Sequence, residues 1–255
     1  MGRPTVDEKK LPLTSHLQEL RKRLILSFIA IGIGFIACYA FSDTLFDILA
    51  KPLFHVMPAG GSLIFISVAE AFFTYMKVGF IGGVILASPV VLYQVWAFVA
   101  PGLYRHEKRY VVPFVSLGSL FFALGIFFAY YVALPIGFKF LLGFATDFIK
   151  PMPNMKEYLS FTIKFLLIFG LVFEFPVVLL LLTRIGVIDA KTLARQRKYA
   201  ILLIFIFAAM VTPPDVISQV IMALPLIALY ELSILLSRVF GKRPASPASN
   251  ATQGV

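Results

Sequence analysis

One acidic residue, Glu174, lies inside a long, mostly apolar stretch of the chain, residues 158–183. A carboxylate near the middle of a stretch that can cross a bilayer is costly, and it normally faces a bundle interior, a partner helix or water. Pro176 follows two positions later and lacks an N–H, so we expect a freed backbone carbonyl near Val172. The pattern indicates a polar contact with a partner or a proton site. A static hydrogen bond to another span is the alternative.

Two further acids, Glu19 and Glu107, lie within basic runs, HLQELRKR and YRHEKR. Two carboxylates at one membrane face could receive a basic peptide through charge-assisted, bidentate contacts with arginine. The alternative is that each acid only neutralises its basic neighbours, since surface ion pairs contribute about 0–1 kcal/mol. The spacing alone leaves both interpretations open.

Motifs for catalysis or for cofactor binding are not found in the sequence. It contains no HExxH, GxSxG, GxxxxGK[ST] or GxGxxG pattern. The three histidines, His16, His55 and His106, are dispersed, and the single cysteine, Cys38, permits no internal disulfide. We therefore expect no enzymatic activity, no metal and no cofactor.

The composition of the chain indicates that these acids are positioned by membrane-spanning segments. Of 255 residues, 60% are hydrophobic and 14% are charged, against about 45–50% and about 25% in an average soluble domain. The mean hydropathy is +0.91. A soluble globular protein is excluded, and the chain must be divided into membrane spans of about 20 residues each.

The apolar stretches predict an all-α membrane protein with six transmembrane helices. The predicted spans are residues 24–41, 72–99, 111–134, 158–183, 199–211 and 216–236. The fifth span, as a helix, reaches only about 20 Å of the roughly 30 Å hydrocarbon core. Pro225 and Glu231 also make the sixth span short, which predicts a locally thinned bilayer.

The basic residues predict the orientation of the chain. Of the 23 Lys and Arg residues, 17 lie in residues 1–23, 100–110, 184–198 and 237–255. The positive-inside rule then places both termini in the cytoplasm. Residues 1–23 are expected to be a cytoplasmic amphipathic segment, 24–236 the transmembrane domain and 237–255 a disordered cytoplasmic tail. The basic surplus of the chain needs no nucleic-acid partner, because topology and the inner leaflet account for it.

Four sequence blocks occur in order between about His16 and about Arg238. They are HLQELRKRL, SPVVLYQVWAFVAPGLYRHEKR, FGLVFEFPVVLLL, and TPPDVISQ with ALPLIALYE. Together they resemble the TatC family, the multispanning subunit of the twin-arginine protein translocase. The resemblance implies a six-helix receptor in the cytoplasmic (inner) membrane for signal peptides that bear paired arginines on folded cargo. It also implies TatA-like and TatB-like single-span partners, self-association in a larger complex, and energy from the proton gradient.

The resemblance assigns roles to individual positions. Signal-peptide binding is implied for Glu19, Arg21, Phe98 and Glu107, an intramembrane partner contact for Glu174, and outward-side motif positions for Pro52, Asp215 and Gln219. The fifth span and its neighbours are the implied site of contact with partner helices.

Two other functions remain open at this level. A proton-coupled small-solute transporter could use Glu174, Lys77 and Lys164 within its spans. Such a transporter would move solute alone in vesicles, whereas a receptor would bind a twin-arginine peptide and move nothing alone. A structural membrane scaffold would need neither Glu19 nor Glu107.

Overall fold

Apolar surroundings leave the backbone N–H and C=O groups no water to pair with, so long apolar stretches form helices that satisfy those groups internally. The computed structural model describes residues 13–58, 60–99, 111–146, 150–212 and 216–241. Its helices are α1 (Leu13–Tyr39), α2 (Ser42–Phe54), α3 (Val68–Val99), α4 (Val111–Phe128), α5 (Leu134–Leu142), α6 (Met155–Phe173), α7 (Phe175–Arg184), α8 (Ala190–Arg195), α9 (Arg197–Val211) and α10 (Val216–Phe240). A π-helical turn, Ala129–Ala133, joins α4 to α5. The described part of the chain contains no strand, and its one isolated β-bridge pairs Ile64 with Asn154.

Five helical segments in the described ranges are long and apolar enough to cross a membrane. They are His16–Tyr39, Val68–Phe98, Val112–Leu142, Met155–Arg184 and Gln219–Phe240. These correspond to the first, second, third, fourth and sixth predicted spans. The fifth predicted span corresponds to α9, whose 15 residues give a length of about 22 Å. Its predicted shortness is confirmed, whereas six crossings and their orientation stay predictions.

The prediction of a short sixth span is wrong. Helix α10 has 25 residues and continues through Pro225 and Glu231 to Phe240. Proline removes one backbone hydrogen bond, but packing of the flanking residues Met222, Ala223 and Leu226, all at most 4% exposed, holds the helix together. The boundary predicted after residue 236 therefore falls inside a helix.

The predicted N-terminal segment and the first predicted span share a helix. The part of residues 1–23 that the structure describes continues into the first span as one helix, α1, from Leu13 to Tyr39. No residue of HLQELRKRL is a helix breaker, so nothing separates the polar start from the apolar run. The polar start of α1 is thus rigidly coupled to its membrane-spanning part.

At the end of the bundle that is predicted to face outward, the carboxylate of Glu70 links two segments of the chain through hydrogen bonds. The buried carboxylate of Glu70, at the start of α3, accepts backbone N–H bonds from Ile66 at 3.0 Å, Ser67 at 3.3 Å and Lys156 at 3.2 Å. The backbone N–H of Met155 also donates to the carbonyl of Ile64 at 2.8 Å. These bonds tie the loop before α3 to the start of α6.

Helix α6 lies at the centre of the apolar core. Phe169, Leu166 and Leu159 on this helix are each 1% exposed, and Phe128 stacks at 5.6 Å from Phe173. A buried side chain of this size contributes about 1.5–3 kcal/mol relative to an exposed one in a soluble protein. In a bilayer the gain comes from close packing, because lipid is as apolar as the side chains.

Glycines set the closest contact between α1 and α3. A Cβ at Gly34 would lie 2.7 Å from the carbonyl oxygen of Gly83, and a Cβ at Gly83 would lie 2.7 Å from the carbonyl carbon of Gly34. Small residues let two membrane helices approach until their backbones touch. This crossing fixes α1, and with it the polar residues at its N-terminal end, against α3.

We predict that Gly83→Ala destabilises the bundle by about 1–3 kcal/mol, because the added methyl group would push against the backbone of α1. Gly137→Ala is the matched control, since no atom lies within 4 Å of the position that its Cβ would occupy. The control should leave stability unchanged or raise it by up to about 1 kcal/mol through helix propensity. Thermal unfolding of the purified proteins in one detergent measures both effects. Equal midpoints for the two variants would contradict the close crossing.

Candidate functional site

The polar start of α1 places three side chains along one face of the helix. His16, Glu19 and Arg23 are spaced three and four residues apart, so they lie above one another. Nη2 of Arg23 lies 3.3 Å from Oε1 of Glu19, and the two side chains are 26% and 29% exposed. Glu19, which the sequence singled out, is therefore an accessible carboxylate that pairs with one cation, Arg23, among the described residues.

Helix α3 supplies the other side of this site. Nη1 of Arg23 donates to Oε1 of Gln94 at 3.0 Å, and Gln94 is only 7% exposed. One turn further along α3, the ring of Phe98 stacks on that of His16 with centroids 4.4 Å apart. The structure thus brings Glu19 and Phe98, two of the predicted site residues, to the same end of the α1–α3 pair.

The other two predicted signal-peptide residues are not part of this cluster. Arg21 lies on α1 with an exposed side chain and makes no hydrogen bond or ion pair with a described residue. Glu107 lies outside the described residues. Sequence reasoning missed His16, Arg23 and Gln94. The i, i+4 spacing of Glu19 and Arg23 could have indicated their pairing, whereas no signal in the sequence linked Gln94 to them.

The second candidate site, Glu174, marks a break in the fourth predicted span. Helix α6 ends at Phe173 and α7 begins at Phe175, with Pro176 in the first turn of α7. The N–H of Glu174 donates to the carbonyl of Leu171 at 3.1 Å, and its own carbonyl accepts from Val177 and Val178, each at 3.0 Å. The prediction of a freed backbone carbonyl near Val172 is wrong, because a backbone N–H at the end of α6 donates to that carbonyl.

The side chain of Glu174 is buried against α4. It is 7% exposed, and a Cβ at Gly118 of α4 would lie 2.9 Å from its Oε2 and 3.2 Å from its Oε1. Its Oε1 is buried without a hydrogen-bond partner in the described part of the chain, as is Oγ of Ser119. The static hydrogen bond considered as an alternative is therefore not formed with any described residue. Gly118 supplies the space for the carboxyl group, and no pattern in the sequence indicated this contact.

An apolar groove lies beside the break in this span. A cavity of about 750 Å³ opens between the α6–α7 junction, α9 and α10, and Val172 and Phe175 line it at the junction. Glu174 itself does not line the groove. Helix α9 has only one buried residue, Ala208, so most of its surface is open to lipid or to another helix.

The residues of the predicted outward motif have structural contacts. Pro52 is buried within α2, and Nε2 of Gln219 donates to the carbonyl of Phe205 at 3.1 Å, which ties α10 to α9. Asp215 lies outside the described residues. A search of the described ranges finds no cluster of three or more His, Cys, Asp or Glu side chains that could hold a metal ion.

The sequence of the chain matches the model of a known protein family. The family model described as "Sec-independent protein translocase protein (TatC)" matches residues 15–225. The chain belongs to the TatC family. TatC is a component of a protein translocase, and no comparison supports a small-solute transporter.

Relatives match over nearly the whole chain. The TatC protein of Desulforapulum autotrophicum is 52% identical over 247 residues, which cover 97% of this chain and 92% of the relative. The TatC protein of Escherichia coli strain K12 is 39% identical over 233 residues, which cover 91% and 90%. The resemblance inferred from the four sequence blocks is confirmed.

Two solved structures share the fold. A crystal structure of the twin-arginine translocase receptor TatC has 43% sequence identity and a TM-score of 0.73, and the match covers 88% of this chain and 98% of that one. A second TatC crystal structure, in the detergent DDM, has 42% identity and a TM-score of 0.74, covering 87% and 99%. The multi-pass helical architecture is therefore that of TatC.

Proposed function

We propose that this TatC-family chain is the signal-peptide receptor of a twin-arginine translocase, and that Glu19 and Glu107 bind the paired arginines of the signal peptide. The observation that carries the proposal is the position of Glu19. Its carboxylate lies at the polar end of the α1–α3 pair, 29% exposed, and its Oε2 accepts no hydrogen bond from a described residue. An incoming guanidinium could therefore reach it.

The neighbouring aromatic pair supports the same interpretation. The stacked rings of His16 and Phe98 form a flat, partly apolar surface next to Glu19. Signal peptides have an apolar segment after their basic region, so a carboxylate beside an aromatic surface matches both parts. Phe98 is proposed to contact the apolar segment, and Arg21 to lie at the rim of the site.

The distribution of basic residues supports one orientation of the chain in the membrane. We propose that six spans cross the cytoplasmic (inner) membrane with both termini inside, so that Glu19 meets cargo before export. The short helix α9 would cross where the bilayer is thinned. With no nucleotide-binding motif in the sequence, the proposed energy source is the proton gradient.

Single-span partners are proposed to bind near the break at Glu174. TatA-like and TatB-like helices are the partners that the family resemblance implies, and the groove between α9, α10 and the α6–α7 junction offers them an apolar surface. The carboxyl group of Glu174 is buried against α4 and does not line this groove. Because a buried carboxyl group without a donor is unfavourable in an apolar environment, a polar group of a partner helix that reaches the break itself would satisfy it. Self-association into a larger complex is part of the same proposal.

For the receptor site, we predict that Glu19→Ala weakens binding of a twin-arginine peptide about tenfold or more. A charge-assisted hydrogen bond contributes about 1.5–3 kcal/mol, and about 1.4 kcal/mol corresponds to tenfold in affinity. A twin-lysine peptide should bind wild type less well, because lysine lacks the planar fork of arginine. Peptide titration of the purified full chain in lipid nanodiscs measures both values.

Glu231→Ala is the matched control for Glu19→Ala. Glu231 also pairs with an arginine at the same predicted membrane face, Arg197, at 2.8 Å, with both side chains 45% exposed. The control should bind the twin-arginine peptide with wild-type affinity. If Glu19→Ala and a Glu19→Ala, Glu107→Ala double variant both kept wild-type affinity and arginine preference, the receptor assignment of these acids would be refuted.

For the partner site, we predict that Glu174→Gln keeps association with single-span partners while Glu174→Ala loses most of it. Glutamine retains the hydrogen-bonding side chain, whereas alanine removes it. Copurification of tagged partners from membranes measures the association, and peptide affinity should stay unchanged in both variants. Thr162→Val is the control, since Thr162 is a buried polar residue of α6 away from the break. Equal loss with glutamine and alanine would instead indicate a proton-carrying role.

A further inference from the structure

Gln94 and Arg23 form a hydrogen-bonded chain that ends on the Glu19 carboxylate. Gln94 accepts from Nη1 of Arg23 at 3.0 Å, and Nη2 of the same guanidinium reaches Oε1 of Glu19 at 3.3 Å. We propose that Gln94 is a positioning residue of the receptor site: it fixes the guanidinium of Arg23, which in turn fixes the carboxylate that receives the signal-peptide arginine. This inference rests on the proposed function.

Burial indicates which member of the chain is the anchor. Gln94 is 7% exposed on α3, whereas the side chains of Arg23 and Glu19 are 26% and 29% exposed. A buried amide packed into a helix pair has little rotamer freedom, while long charged side chains in water have much more. The buried amide of Gln94 therefore restricts the conformation of the Arg23 guanidinium, which in turn restricts that of the accessible Glu19 carboxylate.

The geometry of the guanidinium makes this transfer of order possible. Arginine presents its donors in a rigid planar fork, so fixing one terminal nitrogen also fixes the direction of the other. A lysine at position 23 would offer one ammonium group on a flexible stem and could not hold both acceptors in this way. Nε of Arg23 is buried without a hydrogen-bond partner in the described part of the chain. The two terminal contacts are therefore the ones that hold the group.

The contact with Arg23 uses only one of the two carboxylate oxygens of Glu19. Arg23 contacts only Oε1 of Glu19, so Oε2 keeps its lone pairs for the guanidinium of the peptide. Holding a carboxylate in its bound conformation lowers the cost of ordering it when the peptide arrives. Loss of the anchor should weaken peptide binding about three- to tenfold without removing the binding carboxylate.

The test is the affinity of a twin-arginine peptide for the full chain in nanodiscs, measured in a double-mutant cycle. Gln94→Met removes the acceptor and keeps the side-chain volume, and it should weaken binding about three- to tenfold. In the Glu19→Ala background the same change should have no further effect, because Gln94 acts only through Glu19. Gln94→Glu keeps an acceptor for Arg23 and should bind at least as tightly as wild type.

The control and a second variant make the outcome decisive. Gln196→Met replaces a glutamine that lies outside the α1–α3 pair, and it should leave peptide affinity unchanged. If Gln94→Met does not fold, Arg23→Lys tests the same hydrogen bonds at their middle residue. It should lower the peptide affinity by a similar factor in the wild-type background and should have no further effect in the Glu19→Ala background.

Three results would overturn the inference while leaving the proposed function intact. The first is that Gln94→Met binds the peptide with wild-type affinity while Glu19→Ala binds it more weakly. The second is that Gln94→Met lowers the affinity equally in the wild-type and Glu19→Ala backgrounds. The third is that Gln94→Met binds the peptide more tightly than wild type, which would mean that Arg23 competes with the peptide for Glu19. If Glu19→Ala itself binds normally, the proposed function fails first.

Discussion

The structure depends on one constraint: a polar group surrounded by hydrocarbon must find its partner within the protein. Backbone groups meet this constraint by forming helices, and glycines such as Gly34 and Gly83 let two of those helices touch. Glu70 meets it by accepting three backbone N–H bonds at the predicted outward end. Oε1 of Glu174 does not meet it with any described residue, and neither do the hydroxyl groups of Ser119 and Thr162.

The same constraint separates the two acids, Glu174 and Glu19, for which functions are proposed. Glu174 is buried at a helix break and lacks a donor, which suits a contact that forms only on assembly. Glu19 lies at an aqueous end, where Arg23 and Gln94 hold it in place and leave one oxygen open. Recognition of cargo and recognition of partners would then both use a carboxyl group, in a water-exposed environment at Glu19 and in a buried apolar environment at Glu174.

The sequence predicted those features that depend on local pattern. The apolar stretches and the short fifth helix follow from hydrophobic length, and the structure confirms them. The freed carbonyl expected near Val172 is absent, because the chain forms a new helix end there and a backbone N–H donates to that carbonyl. Features that depend on packing could not be predicted. Helix α10 runs through Pro225 because its neighbours bury both flanks, and the contact between Arg23 and Gln94 joins residues 71 positions apart in the chain. Likewise, only the folded chain shows that Gly118 makes room for Glu174.

The paired arginines of a signal peptide are proposed to bind at the end of the α1–α3 pair beside Glu19. Photocrosslinking can locate the bound peptide, with a photoreactive residue at Leu17, which is 63% exposed, or at Phe144 near the opposite end, which is 68% exposed. If the proposal is right, a twin-arginine peptide crosslinks at position 17 and not at 144, and a twin-lysine peptide crosslinks much less at 17. Equal crosslinking at the two positions, or equal crosslinking of the two peptides, would contradict it.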